Sequence, residues 1–284
     1  MIEALRDTGR CLREEGRYVQ AAGVLARALA VVEQPGGPTV PAFVLADLLN
    51  EAGIVAKCRG AFAEAEGLYR RALAIECVVL GPDHPDLAAL YHNLGGLEHA
   101  RGRHAVAEPL ARRSLVLRRR AEGDQELALA ADRGALAAIL DALGEREEAE
   151  TLLRQAIATF EARLGPEHFQ VGVALGNLAA LLGRSGRTSE AEPLLVRALS
   201  VLRSALVPGH PLLAPVLANL AYACRRSGRH RKAARLYREA VSILEPAVEP
   251  SHPMLTACRH GLRSCSRRRA AAAVRFPQRR GDLA

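Results

Sequence analysis

The sequence predicts an all-α fold, a solenoid of stacked antiparallel helix hairpins. Three observations carry that prediction. Ala, Leu, Arg and Glu dominate the chain, aromatics make up 4%, and Trp is absent, a composition that favours helix and gives a sheet little support. Apolar residues recur at three- and four-residue steps, as at Leu87, Leu90, Leu94 and Leu97, which is the helical period. A glycine returns every 42 residues at Gly60, Gly102, Gly144, Gly186 and Gly228, with Gly16 standing 44 residues before the first of them. A fixed period of that size marks a repeat architecture.

Each unit follows from these signals. The segment before the glycine, such as HPDLAALYHNLGGLEHARG, is the first helix. The glycine supplies the positive φ of a helix end or tight turn. A second amphipathic helix follows, for example AVAEPLARRSLVLRRR. Five residues after every turn glycine stands an alanine: Ala21, Ala65, Ala107, Ala149, Ala191 and Ala233. Seven further on the residue is small again, Ala28, Ala72, Ser114, Ala156, Ala198 and Ala240. Small residues at fixed places allow two helices to cross closely. One hairpin cannot bury its own apolar face, and stacked neighbours bury it.

Between units lies a recurrent joint: GPDHP at Gly81–Pro85, GPEHF at Gly165–Phe169, VPGHP at Val207–Pro211 and EPSHP at Glu249–Pro253. Its proline suits a first helical position. His84, His168, His210 and His252 are expected to cap or pack there. Their spacing, at two helix layers per unit and about 8–10 Å per layer, is too wide for one shared metal ion. The fourth unit lacks the joint, with Glu126 and Leu127 at the place of His-Pro. His92, His99 and His104 form a separate group; His92 and His99, seven apart, share a helix face, but no third or fourth ligand joins that pair and the His-Glu-x-x-His motif is absent. No metal and no cofactor is expected.

The stretch NLAALLGRSGRTSEAEPLLVRAL (Asn177–Leu199) resembles the tetratricopeptide repeat in its 42-residue, kinesin light chain-like variety. The resemblance covers six units from Ile2 to Leu244 and a seventh partial unit, HPMLTACRHGLRSC. It implies a right-handed superhelical solenoid whose first helices line a concave groove, and a scaffold or adaptor that binds a peptide or protein there. Residues 1–264 form the array, and residues 265–284 a basic tail expected to be flexible.

Nine residues before the turn glycine the series reads Asp7, Glu51, Asn93, Ala135, Asn177, Asn219. In the family an Asn there hydrogen-bonds the backbone of a bound peptide, so the resemblance assigns partner binding to Asn93, Asn177 and Asn219. An interhelix hydrogen bond inside the array fits the same residues. Arg184, Tyr222, Arg225 and Arg226 fall in the groove by the same register. With the asparagines they could hold an acidic or C-terminal carboxylate group, because guanidinium pairs bidentately with carboxylate. A solvated basic face at helix C-termini is the alternative.

The net charge of +8 is uneven: residues 220–284 hold 15 Lys and Arg against 4 Asp and Glu, and the rest hold 24 against 27. A nucleic-acid-associated protein acting through that basic end is the alternative function, although stacking aromatics are nearly missing there. No phosphate loop, nucleophile elbow or zinc motif appears, so recognition is expected rather than catalysis. The six cysteines show no two-residue spacing, which fits a reducing cytoplasm. The opening MIEALRDTGR lacks the apolar run of a secretion signal. The most apolar stretch, Pro211–Cys224, is too short to span a bilayer.

Overall fold

The computed structural model describes the backbone of residues 1–275 and the side chains of residues 1–265. The described residues form six helix hairpins and a final helix. The hairpins are α1 (Ile2–Glu14) with α2 (Tyr18–Glu33), α3 (Ala42–Arg59) with α4 (Phe62–Leu80), and α5 (Ala88–Ala100) with α6 (His104–Arg118). Then follow α7 (Glu126–Leu143) with α8 (Arg146–Leu164), α9 (Phe169–Arg184) with α10 (Thr188–Ala205), and α11 (Leu213–Arg226) with α12 (His230–Leu244). The last helix, α13, spans Pro253–Arg275 and takes in the start of the basic stretch. Residues 276–284 of the expected tail lie outside the described residues. No helix described is long and apolar enough to cross a membrane.

Small residues set the hairpins. The six turn glycines have φ between 74° and 96°, a conformation that strains any side chain. Ala65, Ala107, Ala149 and Ala233 are wholly buried, as are Ala72, Ala156 and Ala240. Ser114, at the same place in its unit, is buried too, and its hydroxyl donates to the Ala88 carbonyl at 2.9 Å. At Gly53 a Cβ would come within 2.6 Å of the Tyr69 ring, so a bare backbone is what lets α3 lie on α4. First helices touch first helices along the array, α1 on α3 through α11 on α13. They form the inner layer, and the second helices the outer one.

All four joint histidines are N-terminal caps. Their Nδ1 atoms accept from the amides of Asp86 (3.3 Å), Gln170 (3.3 Å), Leu212 (3.1 Å) and Met254 (3.2 Å), satisfying one orphan donor of each helix start. In the fourth unit, where the histidine is missing, Asp124 caps instead and accepts from the Glu126 amide at 3.1 Å.

Two of these joints do more, because the superhelix completes a turn within about five units and its ends meet. The His210 joint lies on the α1–α2 turn: His210 Nε2 is 3.1 Å from the Glu14 carbonyl, and a Cβ on Gly16 would sit 2.4 Å from Pro211. The His252 joint lies on the α3–α4 turn. There the Glu249 amide donates to the Arg59 carbonyl at 2.8 Å and the Arg59 guanidinium pairs with Glu249 at 2.6 Å. His252 packs on Gly60, and its ring lies 6.4 Å from that of Phe62. Tyr18, from the first unit, joins the buried core of the later units. The array is therefore clasped onto itself.

Candidate functional site

The concave face changes character along its length, and the change is written at matched repeat positions. Ten residues before each turn glycine stand Arg6, Asn50, His92, Gly134, Gly176 and Ala218; six before it stand Arg10, Ile54, Gly96, Ala138, Ala180 and Tyr222. The first three units place mostly long polar side chains on the face. The last three place small ones there, apart from Tyr222.

The polar side chains of the first half satisfy one another. Arg6 meets Asp47 at 2.5 Å. Nearly buried Glu51 accepts from Arg13 at 3.2 Å and faces Arg10 at 3.4 Å. Asn93 is buried, and its amide donates to Asn50 at 2.8 Å, the interhelix role. His92 donates to buried Asp132 at 2.7 Å, and Arg118 reaches the same carboxylate at 3.1 Å. Burial alone would raise the Asp132 carboxyl, but these two partners hold it below the usual carboxylate range. In the second half one such pair persists, where Arg184 donates to buried Asp141 at 2.8 Å.

Toward the middle of the face the pairing thins. Lys57 reaches over bare Gly96, and burial holds its ammonium below the usual lysine range. The His99 and His104 rings lie 5.0 Å apart, with Nδ1 of each buried and without a hydrogen-bond partner among the described residues. Burial, then the nearby His104 and Arg184 charges, keeps the His99 imidazole below its ordinary value. No metal-binding group of three or more His, Cys, Asp or Glu occurs among the described residues.

In the second half the face opens into a cleft of about 690 Å³ between α9, α11 and α13. Ala179, Ala180, Ala218, Leu195, Met254 and Ala257 give it an apolar lining. Five of the seven site residues read from sequence converge on it: Arg184, Asn219, Tyr222, Arg225 and Arg226. Tyr222 is exposed, with the Arg225 guanidinium 5.3 Å and that of Arg226 6.0 Å from its ring centre. Asn177 is exposed on α9 outside the cleft lining, and Asn93 lies in the other half.

The three asparagines thus have different fates, for a reason present in the chain. The partner of Asn93 is Asn50, ten residues before the turn glycine of the preceding unit. The corresponding residues for Asn177 and Asn219 are Gly134 and Gly176, which offer no side chain to bond. His260 and Arg263 of α13 also line the cleft; the repeat register gave no sign of them, because α13 is a single helix without a turn glycine.

Family models of the tetratricopeptide repeat match residues 44–120, 89–162, 127–204 and 170–245, and another matches residues 4–39. No curated protein matches the chain. Among solved structures, a variant of a kinesin light chain candidate from Podosopora anserina, with nearly identical TPR-like repeats, is similar. It is 25% identical over 69% of this chain and 92% of that one, with a TM-score of 0.50. BtubC (BKLC) from P. vanneervenii is 21% identical over 96% of both chains, with a TM-score of 0.53. A Rap protein complexed with competence and sporulation factor is 14% identical over 94% of this chain and 75% of that one, with a TM-score of 0.65. The last two share the fold.

Proposed function

The chain belongs to the tetratricopeptide repeat family, a helical-repeat scaffold for protein interactions of the kinesin light chain-like type, and on that premise we propose that it holds a peptide segment of a protein partner in the cleft of its last units. The observation that supports this reading is the convergence of Asn219, Tyr222, Arg225 and Arg226 on an apolar cleft of about 690 Å³, a size common to ligand sites. Asn219 offers a donor and an acceptor to a peptide unit, Tyr222 a flat contact face, and the arginines a complement to an acidic group. Asn177 extends this row on α9, and Arg184 forms the wall, its charge shared with Asp141.

The Rap neighbour was solved with a factor bound, and a comparable ligand-holding role is proposed for this superhelix. Recognition without chemistry accounts for the residues of the cleft. All six cysteines are free, which suits the cytoplasm as the proposed location.

The test starts from a partner captured in the native cell and identified by mass spectrometry. Calorimetry then compares its binding segment on the native chain and on Asn219→Ala with Tyr222→Ala. The expected result is at least a ten-fold weaker affinity in the variant. An affinity unchanged by both substitutions would place the partner elsewhere.

A further inference from the structure

Resting on the cleft as the partner site, we propose that the group it recognises is a phosphorylated side chain of the partner protein, gripped by Arg225, Arg226 and Arg263. The charge of the cleft points there. Among the described residues that line it there is no Asp or Glu, while four arginines and His260 do. One arginine, Arg184, is already neutralised by Asp141. The other three have no carboxylate partner among the described residues. Arg225 lies against the Tyr237 hydroxyl and the Tyr222 ring, and Arg226 lies over the same ring and reaches its hydroxyl at 3.5 Å.

Many arginines elsewhere pair with a glutamate of the adjacent unit, as Arg187 does with Glu150 and Arg229 with Glu192, whereas these three stand together around one opening. A carboxylate carries one charge and two oxygens, which a single guanidinium fork satisfies. Three forks and an imidazole around one opening suit a group with more charge and more acceptors. A phosphomonoester brings a charge of roughly −1.5 to −2 and three terminal oxygens. The apolar wall of Ala218, Met254 and Ala257 would take the carbon body of the side chain and its neighbours.

Size and surface favour a protein source for the phosphate. The cleft admits a few residues, not a duplex. Single-stranded nucleic acid is held by rows of stacking aromatics, and here Tyr222 is flanked by guanidinium groups while Tyr237 is buried.

The test titrates the full chain with three probes, phenyl phosphate, benzoate and a ten-nucleotide oligo-dT, following the arginine Nε–Hε resonances. Phenyl phosphate is expected to shift Arg225, Arg226 and Arg263 saturably and to bind at least ten-fold more tightly than benzoate. Arg225→Gln with Arg226→Gln, and separately Arg263→Gln, should each weaken it at least five-fold with native thermal unfolding retained. Arg231→Gln, on the exposed side of α12, should leave it unchanged. If benzoate binds as tightly, the phosphate assignment falls and the cleft stands as a carboxylate site. If neither small probe moves these resonances, the cleft reading falls with it. If oligo-dT binds more tightly per phosphate than phenyl phosphate does, nucleic acid replaces the phosphorylated partner.

Discussion

The two halves of the concave face share one repeat and one backbone, yet they use it differently. At the position nine residues before the turn glycine, Glu51 and Asn93 are buried and bonded across units, while Asn177 and Asn219 have no side-chain hydrogen bond among the described residues. The difference lies opposite them, where Arg13, Arg10 and Asn50 in the first half give way to Gly134 and Gly176 in the second. A repeat fixes where a side chain points. Whether that side chain serves the fold or a ligand depends on its neighbour in the adjoining unit, since a buried polar group without a partner costs stability and a partnered one is no longer free to bind.

The largest effect should come from setting the halves against each other at that position. Glu51→Leu strands Arg10 and Arg13 against a nearly dry wall. A fully buried pair broken this way costs about 3–5 kcal/mol; the two arginines reach water in part, which lowers the expectation to about 2 kcal/mol. Asn219→Leu should cost less than about 0.5 kcal/mol. Urea midpoints of the two variants measure the contrast, and similar losses in both would erase it.

Next in size is an acid sensitivity of the clasp. Burial holds the imidazoles of His210, where the Glu14 carbonyl pushes back, and of His252 below their ordinary value. Both are neutral in every state well above that value, about 6.5. As pH falls through it, the unfolded or opened chain takes up the protons first. Stability is therefore intact at neutral pH and declines below about 6.5, by at most about 1.4 kcal/mol per pH unit for each histidine. Thermal unfolding between pH 7.5 and 5 should show the decline, and His210→Gln with His252→Gln should make it shallower, leaving the share of buried His99.

A smaller effect separates Arg184 from its neighbours in the cleft. Arg184→Gln leaves buried Asp141 with only the more distant Arg146, at 3.8 Å, and should cost about 1 kcal/mol while changing partner affinity less than two-fold. Arg225→Gln should do the reverse. The smallest effect belongs to the half-buried staples between outer helices: Glu192→Gln, which releases Arg229, should leave the urea midpoint close to that of the native chain.

The sequence makes legible whatever is local to one unit. Turn glycines, crossing alanines and capping histidines each follow from contacts within about forty residues, so a periodic pattern records them. The clasp is different. His84 and His210 stand in nearly the same joint, GPDHP and VPGHP, yet His84 is partly exposed and His210 buried. Only the second has the first unit opposite it, an outcome of small rotations summed over five units that no single unit encodes. The cleft was half legible: Asn219, Tyr222, Arg225 and Arg226 follow from the register, whereas His260 and Arg263 come from a helix that breaks it. The internal bond of Asn93 was readable in principle, from the pairing of Asn50 with Asn93 and of Gly176 with Asn219.

Hydrogen exchange of the full chain, with and without a saturating segment of its captured partner, tests this division of the concave face most directly. Added protection is expected in α9, α11 and α13 alone, with α1, α3 and α5 unchanged. Protection along α1, α3 and α5 with none in α11 or α13 would contradict it.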